Sequence, residues 1–84
     1  MSYITQAIET RYLGATNSRG GRIKAMALAG SITVPYNHAL DTAENHQAAA
    51  DALIAKMGWT GTFAQGGNIR GNGYYFVNIQ GINA

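Results

Sequence analysis

The feature that most constrains this chain is one segment with helix signals at both of its ends. Asp41 and Glu44 have the spacing of a capping box, in which each side chain accepts a hydrogen bond from the other residue's backbone amide. At the far end, Lys56 lies in the last turn, and Gly58 is placed to adopt the left-handed conformation that ends many helices. The sequence therefore predicts one α-helix, Thr42–Met57.

Segments rich in alternating, β-branched and aromatic residues flank this helix on both sides. They predict strands at residues 8–13, 22–28, 31–34, 59–64 and 74–79. The strand at residues 8–13 has an alternative interpretation. Because Ile4, Ile8 and Tyr12 also have helical spacing, a turn of helix before this strand is the other possibility. Strands on both sides of one helix predict an α+β fold. We expect an antiparallel sheet of four to five strands, in the order β-ββ-α-ββ, with the helix packed across one face.

Composition limits the class of protein further. The 84 residues, 46% hydrophobic and 12% charged with a net charge of +2, are expected to form one folded domain over residues 1–84. The absence of Cys excludes disulfides, thiolate zinc sites and thiol nucleophiles. No run of about 18 apolar residues is present, and the first six residues lack a signal peptide's basic and apolar regions. We therefore expect a cytoplasmic protein that does not enter membranes.

The helix has an apolar face and an alanine-rich face. At about 100° per residue, one face is predicted to pack on the sheet. It carries Ala43, His46, Ala50, Leu53, Ile54 and Met57. The outer face has Ala48, Ala52 and Ala55, and the third strand stops at Pro35, near an expected sheet edge. Both features allow a homodimer, and neither requires one.

Basic residues are concentrated in one part of the chain. Four of the six lie between positions 11 and 24, where there is no acid, and they flank or occupy a glycine-rich hairpin loop at residues 14–21. The hairpin would bring Arg11 close to Arg22 or Lys24, with Arg19 at the tip. Guanidinium groups and glycine amides together suit phosphate or another anion. The alternative is a hairpin whose cations only protect an exposed strand edge.

A second loop, predicted at residues 65–73, is also rich in Gly and Asn. If both loops lie at the same end of the sheet, Arg70 joins the basic group, with asparagine side chains beside it. The predicted partner- or phosphate-binding residues are Arg11, Asn17, Arg19, Arg22, Lys24 and Arg70. Tyr12, Tyr74 and Tyr75 are candidates for stacking on a base. The alternative for these tyrosines is the core, since Phe76 and one of Tyr74 and Tyr75 must face inward.

Nothing in the sequence assembles a catalytic set. His46 lies in the centre of the apolar helix stripe, where a core histidine bonded to the sheet and a catalytic base are the two interpretations. His38 could pair with Asp41, but no third group completes a site. The spacing from His38 to His46 matches no zinc signature, and neither glycine-rich loop has a nucleotide-binding motif. We expect no enzymatic activity, metal or cofactor.

Three segments taken together resemble a known group of proteins. They are TRYLGATNSRGGRIKA at residues 10–25, NHQAAA at 45–50 and KMGW at 56–59. With them, the chain resembles, over most of its length, small proteins encoded by bacteriophages, plasmids and integrated elements. Small Cys-free α+β proteins of mobile elements are similar to anti-defence factors such as anti-CRISPR proteins, which occupy a surface of a host nuclease complex. The resemblance implies action in the cytoplasm of a bacterial host, and it assigns no role to any residue.

Three functional hypotheses follow. The first is a non-catalytic protein that inhibits a host defence complex, of the CRISPR nuclease type, by direct contact through the basic Gly/Asn-rich loop. Its partner would be a host protein or ribonucleoprotein. The second is a small nucleic-acid- or nucleotide-binding module that uses the same residues on phosphate. The third is a hydrolase built around His46, or around His38 with Asp41.

Overall fold

The computed structural model describes residues 6–17 and 20–79. Its helix, α1, spans Thr42–Met57 as predicted. The capping box is complete: the Asp41 carboxylate accepts from the Glu44 amide at 2.8 Å, and Glu44 accepts from the Asp41 amide at 3.0 Å. Gly58 has a φ of 70°, so it takes the left-handed conformation that favours glycine, and its amide donates to the last-turn carbonyls.

Five strands form one antiparallel sheet in the described part of the chain. They are β1 (Ala7–Leu13), β2 (Arg22–Ala27), β3 (Gly30–Pro35), β4 (Phe63–Gly67) and β5 (Gly73–Asn78). Their order is β3-β2-β1-β5-β4, with β3 and β4 at the edges. From β3 at one edge the chain enters the helix, which crosses one face of the sheet. After the helix the chain enters β4 at the opposite edge. The predicted α+β fold, with up to five strands and one helix, is confirmed.

The core lies between the helix and the central strands. Its fully buried side chains include Ile8, Ile23, Leu53 and Phe76. The predicted apolar face of the helix is correct for its central residues, His46, Ala50 and Leu53. The face that is actually buried is rotated slightly from the predicted one. Asn45 and Ala49 are buried as well, whereas Ala43, Ile54 and Met57 are only half-buried. Ala52, predicted on the outer face, is also half-buried.

The first strand and the β2–β3 turn depart only slightly from the prediction. Residues 7–13 form a strand, so the alternative helical turn before it would fall on residues 1–5, which lie outside the described part of the chain. The β2–β3 turn lies at residues 28–29, and Gly30 already belongs to β3. Gly30 lies under Met57, whose terminal methyl occupies the space that a Cβ there would need.

The strand predicted at residues 59–64 is the main error in the predicted elements. Trp59 instead donates its amide to the Ile54 carbonyl at 3.1 Å, and so helps to close the helix. The strand begins at Phe63 and continues through two glycines that pair with Tyr74 and Tyr75. The connecting loop is therefore residues 68–72, shorter than the predicted 65–73.

Candidate functional site

Strand alternation divides the side chains of β1 between two surfaces. Ile8 and Thr10 point to the helix and are fully buried, so Glu9 and Arg11 point to the opposite face. No element of the described residues covers that opposite face, which we call the open face. The register places Arg11 directly opposite Lys24, and Leu13 opposite Arg22. Three cations therefore lie side by side on the open face, as the predicted hairpin implied.

The cations of the open face are not neutralised by the protein's own carboxylates. In the described part of the chain, Arg11, Arg22 and Lys24 have no hydrogen bond or ion pair through their side chains. The Nε atoms of Arg11 and Arg22 are covered by neighbouring atoms and have no hydrogen-bond partner. Glu9 lies beside Arg11 on the same face, but its carboxylate accepts from Asn68 Nδ2, at 3.5 Å. The positive charge of the open face is therefore available to a partner.

The other half of the open face is mainly apolar and surrounds one acid, Glu9. Tyr75 pairs with Glu9 of β1 and is 41% exposed, and Met26 lies across β1 from it. Leu28, in the turn that follows β2, is fully exposed. A shallow groove of about 260 Å³ runs between Ala7, Met26, Leu28 and Tyr75. The open face thus combines a basic half with an apolar half.

The two predicted loops lie at the same end of the sheet. Gly73 pairs with Arg11, and the Tyr12 amide donates to the Asn72 carbonyl at 2.9 Å, so residues 68–72 lie beside the end of β1. Asn17 and Arg70 are exposed in the two loops. Arg19 lies outside the described residues. The tyrosines, however, do not share one surface: Tyr75 is on the open face, while Tyr12 and Tyr74 are on the helix side.

A pocket of about 720 Å³ opens at this same end, on the helix side of the sheet. We call it the aromatic pocket and define it by Tyr12, Tyr36, His38, His46, Asn72 and Tyr74. Thr42, Asn68 and three glycines of the β4–β5 hairpin complete its lining. The pocket is therefore bounded by the ends of β1, β3 and β5 and by the first turns of the helix.

Aromatic rings form most of the pocket's walls. The rings of Tyr12 and Tyr36 meet edge to face at 5.7 Å, and His38 packs on Tyr36 at 5.1 Å. On the other side, His46 meets Tyr74 edge to face at 4.9 Å. These separations and angles are those that aromatic pairs prefer. Each of these rings is thus held in place by an aromatic neighbour.

His46 is the polar centre of the pocket floor. Its Nδ1 lies 2.7 Å from the Thr10 hydroxyl, which also accepts from the Tyr74 amide at 3.2 Å. Burial lowers the pKa of His46 from its ordinary value, so the imidazole is held in its neutral form. The geometry is that of a core histidine bonded to the sheet, one of the two interpretations that the sequence leaves open.

Asn68 shapes the β4–β5 loop at the pocket rim. Its side-chain oxygen accepts from the amides of Asn72 and Gly73, at 3.1 and 3.2 Å, while Nδ2 donates to the Asn72 side chain at 2.7 Å. Asn68 is buried, with 8% of its surface exposed. Sequence reasoning placed Asn68 only as a neutral group in a flexible loop. It did not identify Tyr36 at all, although Tyr36 continues the parity of Ile32 and Val34.

The histidine and carboxylate residues that the structure describes do not cluster. No cluster of three His, Asp or Glu that could hold a metal ion occurs among residues 6–17 and 20–79. No contact joins His38 and Asp41, because His38 packs on Tyr36 and the Asp41 carboxylate caps the helix. Within the same part of the chain, no helix is long and apolar enough to cross a membrane.

Comparison with known proteins identifies no family. No protein-family model matches the sequence. No curated protein and no solved structure is significantly similar to it. The candidate sites are therefore defined by the geometry of this chain alone: a basic and apolar open face on one side of the sheet, and an aromatic pocket on the other.

Proposed function

We propose that this is a non-catalytic binding protein that docks the open face of its sheet on an acidic surface of a partner protein. The observation that carries the proposal is the row of Arg11, Lys24 and Arg22 on a face that no described element covers. Like charges directly opposite each other destabilise a sheet, so Arg11 and Lys24 repel one another in the free protein. A carboxylate-bearing partner would relieve that repulsion.

The apolar half of the open face favours a protein over a nucleic acid. Tyr, Met and Arg are enriched in the centres of protein interfaces, and Tyr75, Met26 and Arg11 lie on adjacent strands here. A surface that holds nucleic acid mainly through phosphate needs more cations than three. Leu28 and Tyr75 would add buried apolar area that a phosphate backbone does not supply.

The resemblance to proteins of bacteriophages and mobile elements supplies the class of partner. We infer that the partner is a host defence complex of the CRISPR nuclease type, and that the protein inhibits it by occupying an acidic surface. The low charge of the chain, 12% of residues, suits a contact that spreads over a broad neutral area with a local basic anchor.

Binding of single-stranded nucleic acid is the second candidate. One observation favours it: Tyr75 is exposed on the same flat sheet face as Arg11 and Lys24, the combination that stacks bases and contacts phosphates. Three phosphate contacts predict that the logarithm of the binding constant falls with the logarithm of salt concentration at a slope of only about −2. Binding of this kind would be weak at physiological salt.

A charge-reversal experiment tests the proposal. The tagged protein is expressed in host cells with a guide-loaded nuclease complex, and both copurification and target cleavage are measured. The wild type is expected to copurify and to reduce cleavage. The double variant Arg11→Glu/Lys24→Glu is expected to lose both properties while still unfolding in one cooperative thermal transition, since both side chains lie on the sheet face opposite the core.

Lys56→Glu is the matched control. Lys56 lies at the helix end, where its ammonium donates to the Ser31 carbonyl, and reversing one charge there is expected to leave binding intact. Failure of the wild type to copurify, or equal binding by the double variant, would remove the proposal. Retention on naked single-stranded DNA or RNA, lost with the Arg11/Lys24 reversal and with rising salt, would replace it by the second candidate.

A further inference from the structure

The aromatic pocket lies on the opposite side of the sheet from the open face, so docking through the open face does not use it. Its 720 Å³ is within the range of small-molecule sites, about 300–1,000 Å³. The described residues that line it include no Lys, Arg, Asp or Glu. A charged ligand group would therefore lose its hydration there without gaining an ionic partner. The lining selects for a neutral ligand.

The pocket floor holds one ring nitrogen that no described residue bonds. His46 is 1% exposed and bonds the sheet only through Nδ1. Its second ring nitrogen, Nε2, has no hydrogen-bond partner, although His46 lines the pocket. The polar groups of deeply buried residues are normally hydrogen-bonded, so a histidine nitrogen without a protein partner, in a residue that lines a cavity, is open to a ligand or a water. The lowered pKa of His46 keeps this group neutral, like the rest of the lining.

We propose that the aromatic pocket binds a nucleobase, presented as a free nucleoside. A planar ring would stack on the exposed parts of Tyr12 and Tyr74, while one of its edge atoms pairs with His46 Nε2. The side chains of Thr42 and Asn72 supply further neutral donors and acceptors at the rim. Bases combine a flat aromatic face with neutral hydrogen-bonding edges, which matches this set of groups.

The glycines of the β4–β5 hairpin leave space for a flat ligand. At Gly67 and Gly71, which both line the pocket, an added Cβ would meet no atom within 4 Å. Their backbone groups are therefore reachable from the pocket without a side chain in between. Arg70, between Gly71 and Ile69 at the exposed tip, lies outside the lining, so a phosphate on the ligand would stay in solvent.

Titration with the four common ribonucleosides tests the proposal. Binding is followed by the melting temperature and by the ¹⁵N chemical shift of His46 Nε2. At least one nucleoside is expected to raise the melting temperature in a saturable way and to move the Nε2 resonance, because Nε2 gains a hydrogen bond. The 5′-monophosphate of the same nucleoside is expected to bind with similar affinity.

Two tyrosine variants make the test specific. Tyr12→Leu removes one stacking ring of the pocket, and the fold should tolerate the change because Tyr12 is 44% exposed. The variant is expected to weaken nucleoside binding by about 5- to 150-fold. Tyr75→Leu makes the same change on the open face, where Tyr75 is 41% exposed, and is expected to leave nucleoside binding unchanged.

Three results would overturn the pocket proposal. They are no response to any nucleoside at millimolar concentration, binding of the monophosphate without the nucleoside, and equal weakening by Tyr12→Leu and Tyr75→Leu. Each is independent of the charge-reversal experiment on the open face, because Tyr12 and Tyr75 lie on opposite faces of the sheet. Failure of one proposal therefore leaves the other standing.

Discussion

Thr10 of the central strand and His46 of the helix are joined by a hydrogen bond in the middle of the core, with 2.7 Å between Oγ1 and Nδ1. Both side chains are buried almost completely. The Thr10 hydroxyl also accepts from the Tyr74 amide, so one oxygen connects the helix, β1 and β5. This polar link fixes how the helix lies over the sheet and, with it, the floor of the aromatic pocket.

Replacing Thr10 by Val is expected to destabilise the fold. Valine has nearly the same shape but offers no partner to His46 Nδ1, and a buried polar group left unpaired costs about 1–3 kcal/mol. Urea denaturation would measure the loss in the free energy of unfolding. Thr33→Val is the control, because Thr33 is exposed on β3 and should change that free energy by less than about 0.5 kcal/mol. Equal effects at the two sites would contradict a role for the link.

Acidification is expected to destabilise the protein through His46. Burial lowers the pKa of His46 below its ordinary value of 6.5. Below pH 6.5 the unfolded chain therefore binds a proton that the folded chain does not, and the free energy of unfolding falls as the pH is lowered. Urea denaturation between pH 7.5 and about 5 would show this slope, and His46→Gln should reduce it.

The exposed histidine provides the comparison for that slope. His38 lies at the surface beside Tyr36, so His38→Gln should keep the wild-type loss of stability on acidification. All three proteins contain the same carboxyl residues, which leaves the replaced histidine as the difference. A slope that disappears with His38→Gln instead would show that the histidine responsible is the exposed one.

The sequence predicts the helix and four of the five strands because their signals are local. Asp41, Glu44 and Gly58 mark the helix ends by hydrogen bonds and a backbone conformation that depend only on near neighbours. The open face is equally predictable, because alternation along β1 and β2 puts Arg11 and Lys24 on the same side. The end of β4 is not, because Gly66 and Gly67 have little strand propensity and pair only because β5 is beside them.

The aromatic pocket required distant parts of the chain to be combined. Tyr12, Tyr36, His46 and Tyr74 come from four different elements, and no spacing in the sequence relates them. Asn45 was missed for a similar reason. Its position on the helix is polar in a periodic pattern, and only the path of the chain before the helix shows why an asparagine is buried there.

Replacing Asn45 by Ala is expected to loosen the connection from β3 to the helix. The Asn45 side chain accepts from the Asn37 amide at 2.7 Å and donates to the carbonyls of Asn37, Leu40 and Asp41. Its loss leaves the Asn37 amide without this acceptor and should cost about 1–3 kcal/mol, although the carbonyls of Asn37 and Asp41 still accept from backbone amides. Hydrogen exchange at the Asn37 amide, protected in the wild type, would become fast in the variant.

Gln47 is the matched control for Asn45. It lies two residues along the same helix, and its side chain makes one exposed hydrogen bond, to Asp51 at 2.9 Å. Gln47→Ala should therefore change stability by less than about 0.5 kcal/mol and leave the Asn37 amide protected. If both variants exposed that amide equally, the connection would depend on the helix as a whole and not on Asn45.

Gly73→Ala is expected to be the most damaging small substitution in the sheet. Gly73 is buried at the start of β5 and pairs with Arg11, and a Cβ there would overlap the Thr10 carbonyl of the neighbouring strand. Since a strand backbone cannot move aside as a side chain can, β1 and β5 must separate, at a cost of about 1–3 kcal/mol or more.

Gly66→Ala provides the comparison, because a Cβ at Gly66 meets no atom within 4 Å. That variant should leave the free energy of unfolding unchanged or raise it by up to about 1 kcal/mol, since alanine restricts the unfolded chain. Thermal and urea denaturation of the two variants measure the difference, and equal stabilities would mean that β1 and β5 are not held as closely as this register requires.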